Sequence, residues 1–179
     1  MSKRITFQFD DDLDYQLQAV RSAIELFQGL SRQVDGIYRP NRIRKVGEGD
    51  PVRNNDIVVG SRLLENLRRV QLQNDLFADS ALAEGNNFTI EMETGTGKTY
   101  VYLRTILELY KEYGFKKFMI VVPSIAIRKG VEKSMEQLLD HFKRLYDVDL
   151  SKHSFIYDSN NPKQVSSKLV ESNDLSICV

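Results

Sequence analysis

Six consecutive residues, Thr94-Gly95-Thr96-Gly97-Lys98-Thr99, constrain this chain more than any other stretch. Ahead of them Asn87-Phe88-Thr89-Ile90 carries aromatic and β-branched residues and reads as a short strand. From Thr99 onward the pattern reads as a helix. Glycines at a strand-to-helix turn let the backbone curl, so that consecutive N–H groups converge on an anion. The positive end of the helix faces the same point. Lys98 there can reach the β- and γ-phosphates of a nucleotide, and the Thr99 hydroxyl can ligate Mg2+. Thr94 to Thr99 are therefore the expected cofactor-binding residues. The general pattern G-x-x-x-x-G-K-[ST] wants glycine at its first position, where Met92 stands. A glycine-rich turn with an incidental lysine is the alternative; the strand-to-helix context favours phosphate.

Composition narrows what such a loop can serve. The chain has 179 residues, enough for one domain with a real core. Lys plus Arg and Asp plus Glu each number 25, so no global positive field draws nucleic acid, and any such binding must be local. Cys178 is the single cysteine, which leaves no disulfide framework and no Cys-based zinc site, and His141 and His153 alone argue against a His-rich metal site. Met1 to Phe7 meets Asp10-Asp11-Asp12 too soon for a signal peptide, and no apolar run approaches a membrane span. A reducing, cytoplasmic location is expected.

Ile5 to Phe9 alternates as a short strand or extended arm. The three aspartates suit the start of a helix whose inward face is Leu13, Leu17, Val20, Ile24 and Phe27, stopped at Gly29. Residues 30–58 read as loop. The basic run Arg39 to Lys45 within them could pair with DNA phosphates, but a solvated loop is favoured. Ser61 can cap a helix to about Asp75, with Leu63, Leu64, Leu67 and Val70 inward. Beyond the loop the helix stripe is Leu103, Ile106, Leu107 and Tyr110, closed by Gly114. Phe118 to Val122 is a continuous apolar run ended by Pro123, as in a strand buried on both faces of a parallel sheet. Ile127, Val131, Met135, Leu138, Phe142 and Leu145 form the clearest amphipathic stripe. A strand at Ser154 to Tyr157, a short helix near Lys163 to Val170, and a strand entered at Leu175 to Val179 complete the alternation. Strand and helix alternating from Phe88 predict an α/β fold with a largely parallel sheet, two regions (1–86 and 87–179), and a chain that stops mid-sheet.

The run from Glu91 to Ile106 resembles motif I of superfamily 2 helicases, and more closely that of the restriction (Res) subunit of type III restriction–modification enzymes. Phe115 to Arg128 resembles motif Ia of the same family. The likeness covers the N-terminal arm and most of the chain after Phe88. That superfamily tolerates an Ala-type residue at the first loop position, which reduces the Met92 anomaly. The resemblance implies a RecA-like P-loop domain, ATP and Mg2+ as cofactors, and double-stranded DNA and a methyltransferase (Mod) subunit as partners. Asp14 to Val20 resembles the adenine-reading Q motif, with Gln16 at the matching position and Gln18 its competitor. On the residues alone, Gln16 reads first as a surface glutamine of an amphipathic helix; the loop and the likeness reverse that order. Pro123-Ser124 matches a turn that in the family contacts a phosphate of the nucleic-acid strand, and Arg128 can add a charge. Without the likeness, Pro123 ends a strand, Ser124 caps a helix and Arg128 is solvated.

ATP hydrolysis in this family needs an Asp-Glu pair at a strand end and arginines from a second domain. No apolar strand in this sequence ends in Asp-Glu; Asp158 is followed by Ser159. The expectation is thus the N-terminal piece of the ATP-dependent DNA translocase motor of a type III site-specific deoxyribonuclease, a piece that binds nucleotide and DNA backbone but is not itself active in hydrolysis or cleavage. Lys98 is its only residue with a direct part in the chemistry. Another superfamily 2 helicase, a self-contained P-loop kinase and a non-catalytic nucleotide-binding domain are the alternatives.

Overall fold

The computed structural model describes Asp10 and residues 12–34, 37–40 and 61–179, with backbone alone for 31–34 and 37–40. The expected arm at Ile5 to Phe9, Asn41 to Lys45 of the basic run and the Gly47–Pro51 turn lie outside those residues.

Helix α1 spans Asp14–Glu25 and buries Gln16, Val20 and Ile24. Asp10 and Asp12 do not cap it. Leu13 holds the cap position without a side-chain bond, and Asp10 Oδ1 instead accepts the Asp12 N–H at 3.0 Å. A turn ends at Gly29, whose φ of +68° suits glycine. Where a loop is expected, strands β1 (Ser31–Val34) and β2 (Ile37–Pro40) pair antiparallel, so Arg39 lies in a hairpin opposite Arg32. Helix α2, Ser61–Gln73, includes Ser61 as its first residue rather than its cap. Leu63, Asn66 and Val70 are its buried positions. Leu26, Leu30, Leu63 and Val70 form one apolar cluster, with Phe27, Leu67 and Phe88 packed against it.

Helix α3 runs Lys98–Tyr113 and ends on Gly114, whose positive φ lets its N–H bond back to Leu109 and Tyr110. Strand β3 (Lys117–Met119) leads to α4 (Ile125–Tyr146). Then follow α5 (Leu150–His153), β4 (Ser154–Phe155), α6 (Pro162–Val165) running into a π-turn at Ser166–Glu171, and β5 (Ser176–Cys178). The sheet is parallel in the order β3-β5-β4, so the last strand sits in the middle. The ladder continues past the strand ends through Ile120 N–H to Cys178 O and Tyr157 N–H to Val179 O, both at 2.8 Å.

The main core lies between this sheet and α3 and α4. Leu103, Leu107, Phe142, Leu150 and Ile177 are fully buried there. Each such side chain stabilises the fold by about 1.5–3 kcal/mol relative to exposure. Within the described residues the second face of β3 is not covered as the apolar run suggests: Phe118, Ile120 and Val122 pack inward, while Met119 and Val121 are 62% and 85% exposed. The α4 stripe is likewise shorter than expected. Val131, Met135, Leu138 and Phe142 are buried, but Ile127 and Leu145 at its two ends are exposed. The first turns of α4 run past the edge of the core, so spacing there no longer dictates burial. No helix among the described residues is long and apolar enough to cross a membrane.

Candidate functional site

Asn87 to Ile90, expected as a strand, belongs to no ladder among the described residues. A strand is defined by hydrogen bonds to a neighbour, and local β preference cannot supply one. Only its flanks turn inward. Phe88 packs on the α2 cluster and Met92 on the cluster of Val20, Ile24 and Val101, while Thr89, Ile90 and Glu91 are all exposed.

The turn that follows has the curl its glycines suggest. Gly95 and Gly97 both have φ +83°. Gly97 is the N-cap of α3 and has no side chain to satisfy the first N–H groups, which stay available to an external acceptor. Glu93 O accepts from Thr96 Oγ1 and Lys98 Nζ, both at 2.7 Å. Lys98 thus folds over the loop, and its ammonium has three donors, of which this bond uses one. Thr94, Gly95 and Lys98 are exposed; Thr96, Gly97 and Thr99 are half-buried. A convergent set of amides, an exposed ammonium and an adjacent hydroxyl fits a triphosphate with a divalent cation. The cradle is the observation that supports the fit.

Gln16 comes to the same place. It is buried, and its Nε2 donates to Thr96 O at 2.9 Å and more weakly to Tyr15 Oη at 3.4 Å. A Cβ at Gly97 would lie 2.6 Å from that nitrogen, so Gln16 fills the space glycine leaves. Gln18 points away, to Asn74 Oδ1 at 2.8 Å just beyond the end of α2. The two glutamines, indistinguishable by pattern, are separated by geometry. α1 is held along α3 by Tyr113, whose hydroxyl donates to Ile24 O at 3.0 Å, and by the edge-on Phe27–Phe115 pair at 5.1 Å. Burial pushes the Tyr113 hydroxyl up to about 12, with the carboxylates Glu112 and Glu25 adding to the rise.

Pro123 and Ser124 lie at the carboxyl end of β3, both exposed. Ser124 caps α4, its Oγ accepting the Ile127 N–H at 3.3 Å. Arg128 Nε stands 3.6 Å from Glu132 Oε1. A cleft of about 1150 Å3 opens behind the loop, lined by Leu26, Phe27, Val70, Phe88, Ile90 and Met92. It reaches Glu93 and Thr96 but neither Lys98 nor Thr99, so it is separate from the Lys98 face of the loop.

Some placed residues were not foreseen. Asn66 interrupts the apolar stripe of α2, and that interruption was the available signal; it is buried and donates to Leu26 O and Gln28 O at 2.9 and 2.8 Å. His141 interrupts the α4 stripe in the same way, buried 3.1 Å from the Tyr100 hydroxyl, which also receives Arg104 Nη1 at 3.0 Å. Tyr146, pushed up by burial, donates to Glu108 at 2.6 Å and adds a second tie between α3 and α4.

The family model described as type III restriction enzyme, res subunit, matches residues 11–179, nearly the whole chain. The chain belongs to that family. Its curated relatives include the Res subunit of the type III restriction-modification enzyme EcoP15I of Escherichia coli, 35% identical over 106 residues that make up 57% of this chain and 11% of the relative. The EcoPI Res subunit of Escherichia phage P1 is 28% identical over 90% of this chain and 16% of its own length. The StyLTI Res subunit of Salmonella typhimurium is 44% identical over 34% of this chain and 6% of its own. The chain thus spans a small part of each of these relatives. Membership implies a P-loop fold, in keeping with the mixed helices and parallel sheet described above.

Proposed function

We propose that this chain is the nucleotide-holding part of the ATP-dependent DNA translocase motor of a type III restriction endonuclease, built on a RecA-like domain. The observation that carries the proposal is the open N-terminus of α3 behind two left-handed glycines, with Lys98 folded over it. In this reading the N–H groups of the loop and Lys98 hold the β- and γ-phosphates, and Thr99 supplies one ligand to Mg2+, which neutralises phosphate charge. Gln16 presents its free Oε1 to the adenine amino group while its Nε2 stays on Thr96 O. Pro123, Ser124 and Arg128 meet a phosphate of double-stranded DNA; the Ser124 hydroxyl proton remains free for it because the oxygen serves the cap as acceptor. A methyltransferase (Mod) subunit reads the DNA sequence, in bacterial cytoplasm. The division at residue 87, into an arm that reads the base and a region that holds phosphates, is part of the proposal.

The test is titration of a fluorescent ATP analogue into the purified protein and its Lys98→Ala variant. Binding lost in the variant supports the reading; equal affinity overturns it. The same protein is expected to bind ATP without meaningful hydrolysis, with or without DNA. No Asp-Glu pair follows an apolar strand, and an arginine finger alone typically contributes about 10³–10⁵-fold in rate. Phosphate release near one turnover per second that vanishes in Lys98→Ala would reveal a self-contained ATPase, with Asp158 the first carboxylate to examine.

A further inference from the structure

We propose that Tyr102 is a positioning residue for Thr99: its phenol oxygen accepts a hydrogen bond from the Thr99 hydroxyl when the Thr99 oxygen turns a lone pair to a divalent cation. The proposal rests on the reading of the loop as an ATP and Mg2+ site.

Tyr102 lies three residues beyond Thr99 on α3, and side chains on a helix tilt toward its N-terminus, so the phenol reaches back over the turn that carries Thr99. Its hydroxyl oxygen is buried and has no hydrogen-bond partner among the described residues. Buried hydroxyls are rarely left this way without a reason. The Thr99 side chain comes within reach of this oxygen without completing a hydrogen bond to it.

The chemistry of a threonine ligand supplies the reason. Its hydroxyl has one proton and two lone pairs. Bound through a lone pair to a cation, it becomes a stronger donor, and its proton must point away from the metal to an acceptor. Tyr100, the neighbouring phenol, points toward α4, where it meets His141, and it accepts from Arg104 one turn on along α3. Tyr102 offers an otherwise unused acceptor on the Thr99 side. An acceptor there fixes the hydroxyl rotor, so the lone pair is aimed before the cation arrives.

The test compares wild type, Tyr102→Phe and Lys98→Ala, with a fluorescent ATP analogue titrated in Mg2+ and in chelator, and with melting temperatures alongside. Tyr102→Phe should bind like wild type without metal and lose on the order of five- to tenfold of the gain that Mg2+ gives, the size of one hydrogen bond. Its melting temperature should hold or rise, because an unpaired buried hydroxyl is gone. An undiminished Mg2+ gain, or an equal loss with and without metal, would make Tyr102 a packing residue and overturn the proposal. Wild-type binding that shows no Mg2+ gain overturns it while the loop reading stands. Wild-type binding that Lys98→Ala does not alter removes both.

Discussion

Two turns in this protein start a long helix after an extended segment, and they are finished in opposite ways. Before α3, Gly97 caps with no side chain, and the first N–H groups are left open behind a loop with two left-handed glycines. Before α4, Ser124 caps with its own hydroxyl and takes up the Ile127 N–H. The first turn gives up an internal hydrogen bond and leaves its donors to an outside acceptor. The second secures its helix and retains one hydroxyl proton for an outside acceptor. Both sit at helix starts with the same dipole; what differs is who satisfies the orphan donors. The comparison predicts that substitutions at the loop affect ligand binding, whereas those at the serine turn affect stability.

The largest effect should come from Gly97→Ala. A Cβ there sits at φ +83° and meets Gln16 Nε2 at 2.6 Å, so loop and α1 must both move. Strain of this kind costs about 1–3 kcal/mol and should abolish nucleotide binding with a clear loss in urea denaturation. A variant with wild-type affinity would show that the loop conformation is not the binding one. Lys98→Ala, by contrast, should leave denaturation within about 0.5 kcal/mol of wild type, as an exposed position allows.

Gln16→Ala should come next. It removes both the base contact proposed above and the strut to Thr96 O. ATP affinity should fall by an amount on the order of 1–3 kcal/mol, and free triphosphate by less, since only the strut matters to it. Gln18→Ala, on the α2 side, should leave both unchanged; a larger loss of adenine selectivity there would mean that the wrong glutamine has been assigned. The smallest effect belongs to the other turn. Ser124→Ala should cost about 1 kcal/mol in denaturation, as lost N-caps do, with nucleotide affinity intact. No loss of stability would show that the Ile127 bond does not hold the helix start.

Local signals set much of this protein. The Thr94 to Thr99 loop, the helix behind it closed at Gly114, the long stripe of α4, and the parallel strands around Phe118, Phe155 and Ile177 all follow from spacing, turn residues and β-branched runs. Those act between neighbours in the chain, so they are written there. Hydrogen-bond partners are not. Asn87 to Ile90 has strand composition and no ladder among the described residues, because a ladder depends on another segment. The aspartates before α1 have cap chemistry, yet Leu13 takes the cap. Arg32 and Arg39 pair across a hairpin where composition suggested loop. Where Gln16 and Gln18 point is likewise not written in the helical pattern, since both project from one amphipathic helix. The packing of α1 along α3, through Val20, Ile24 and Val101, turns one glutamine onto Thr96 and the other onto Asn74. Residues eighty positions apart meet only when the helices carrying them are docked, and that docking is a property of the folded chain.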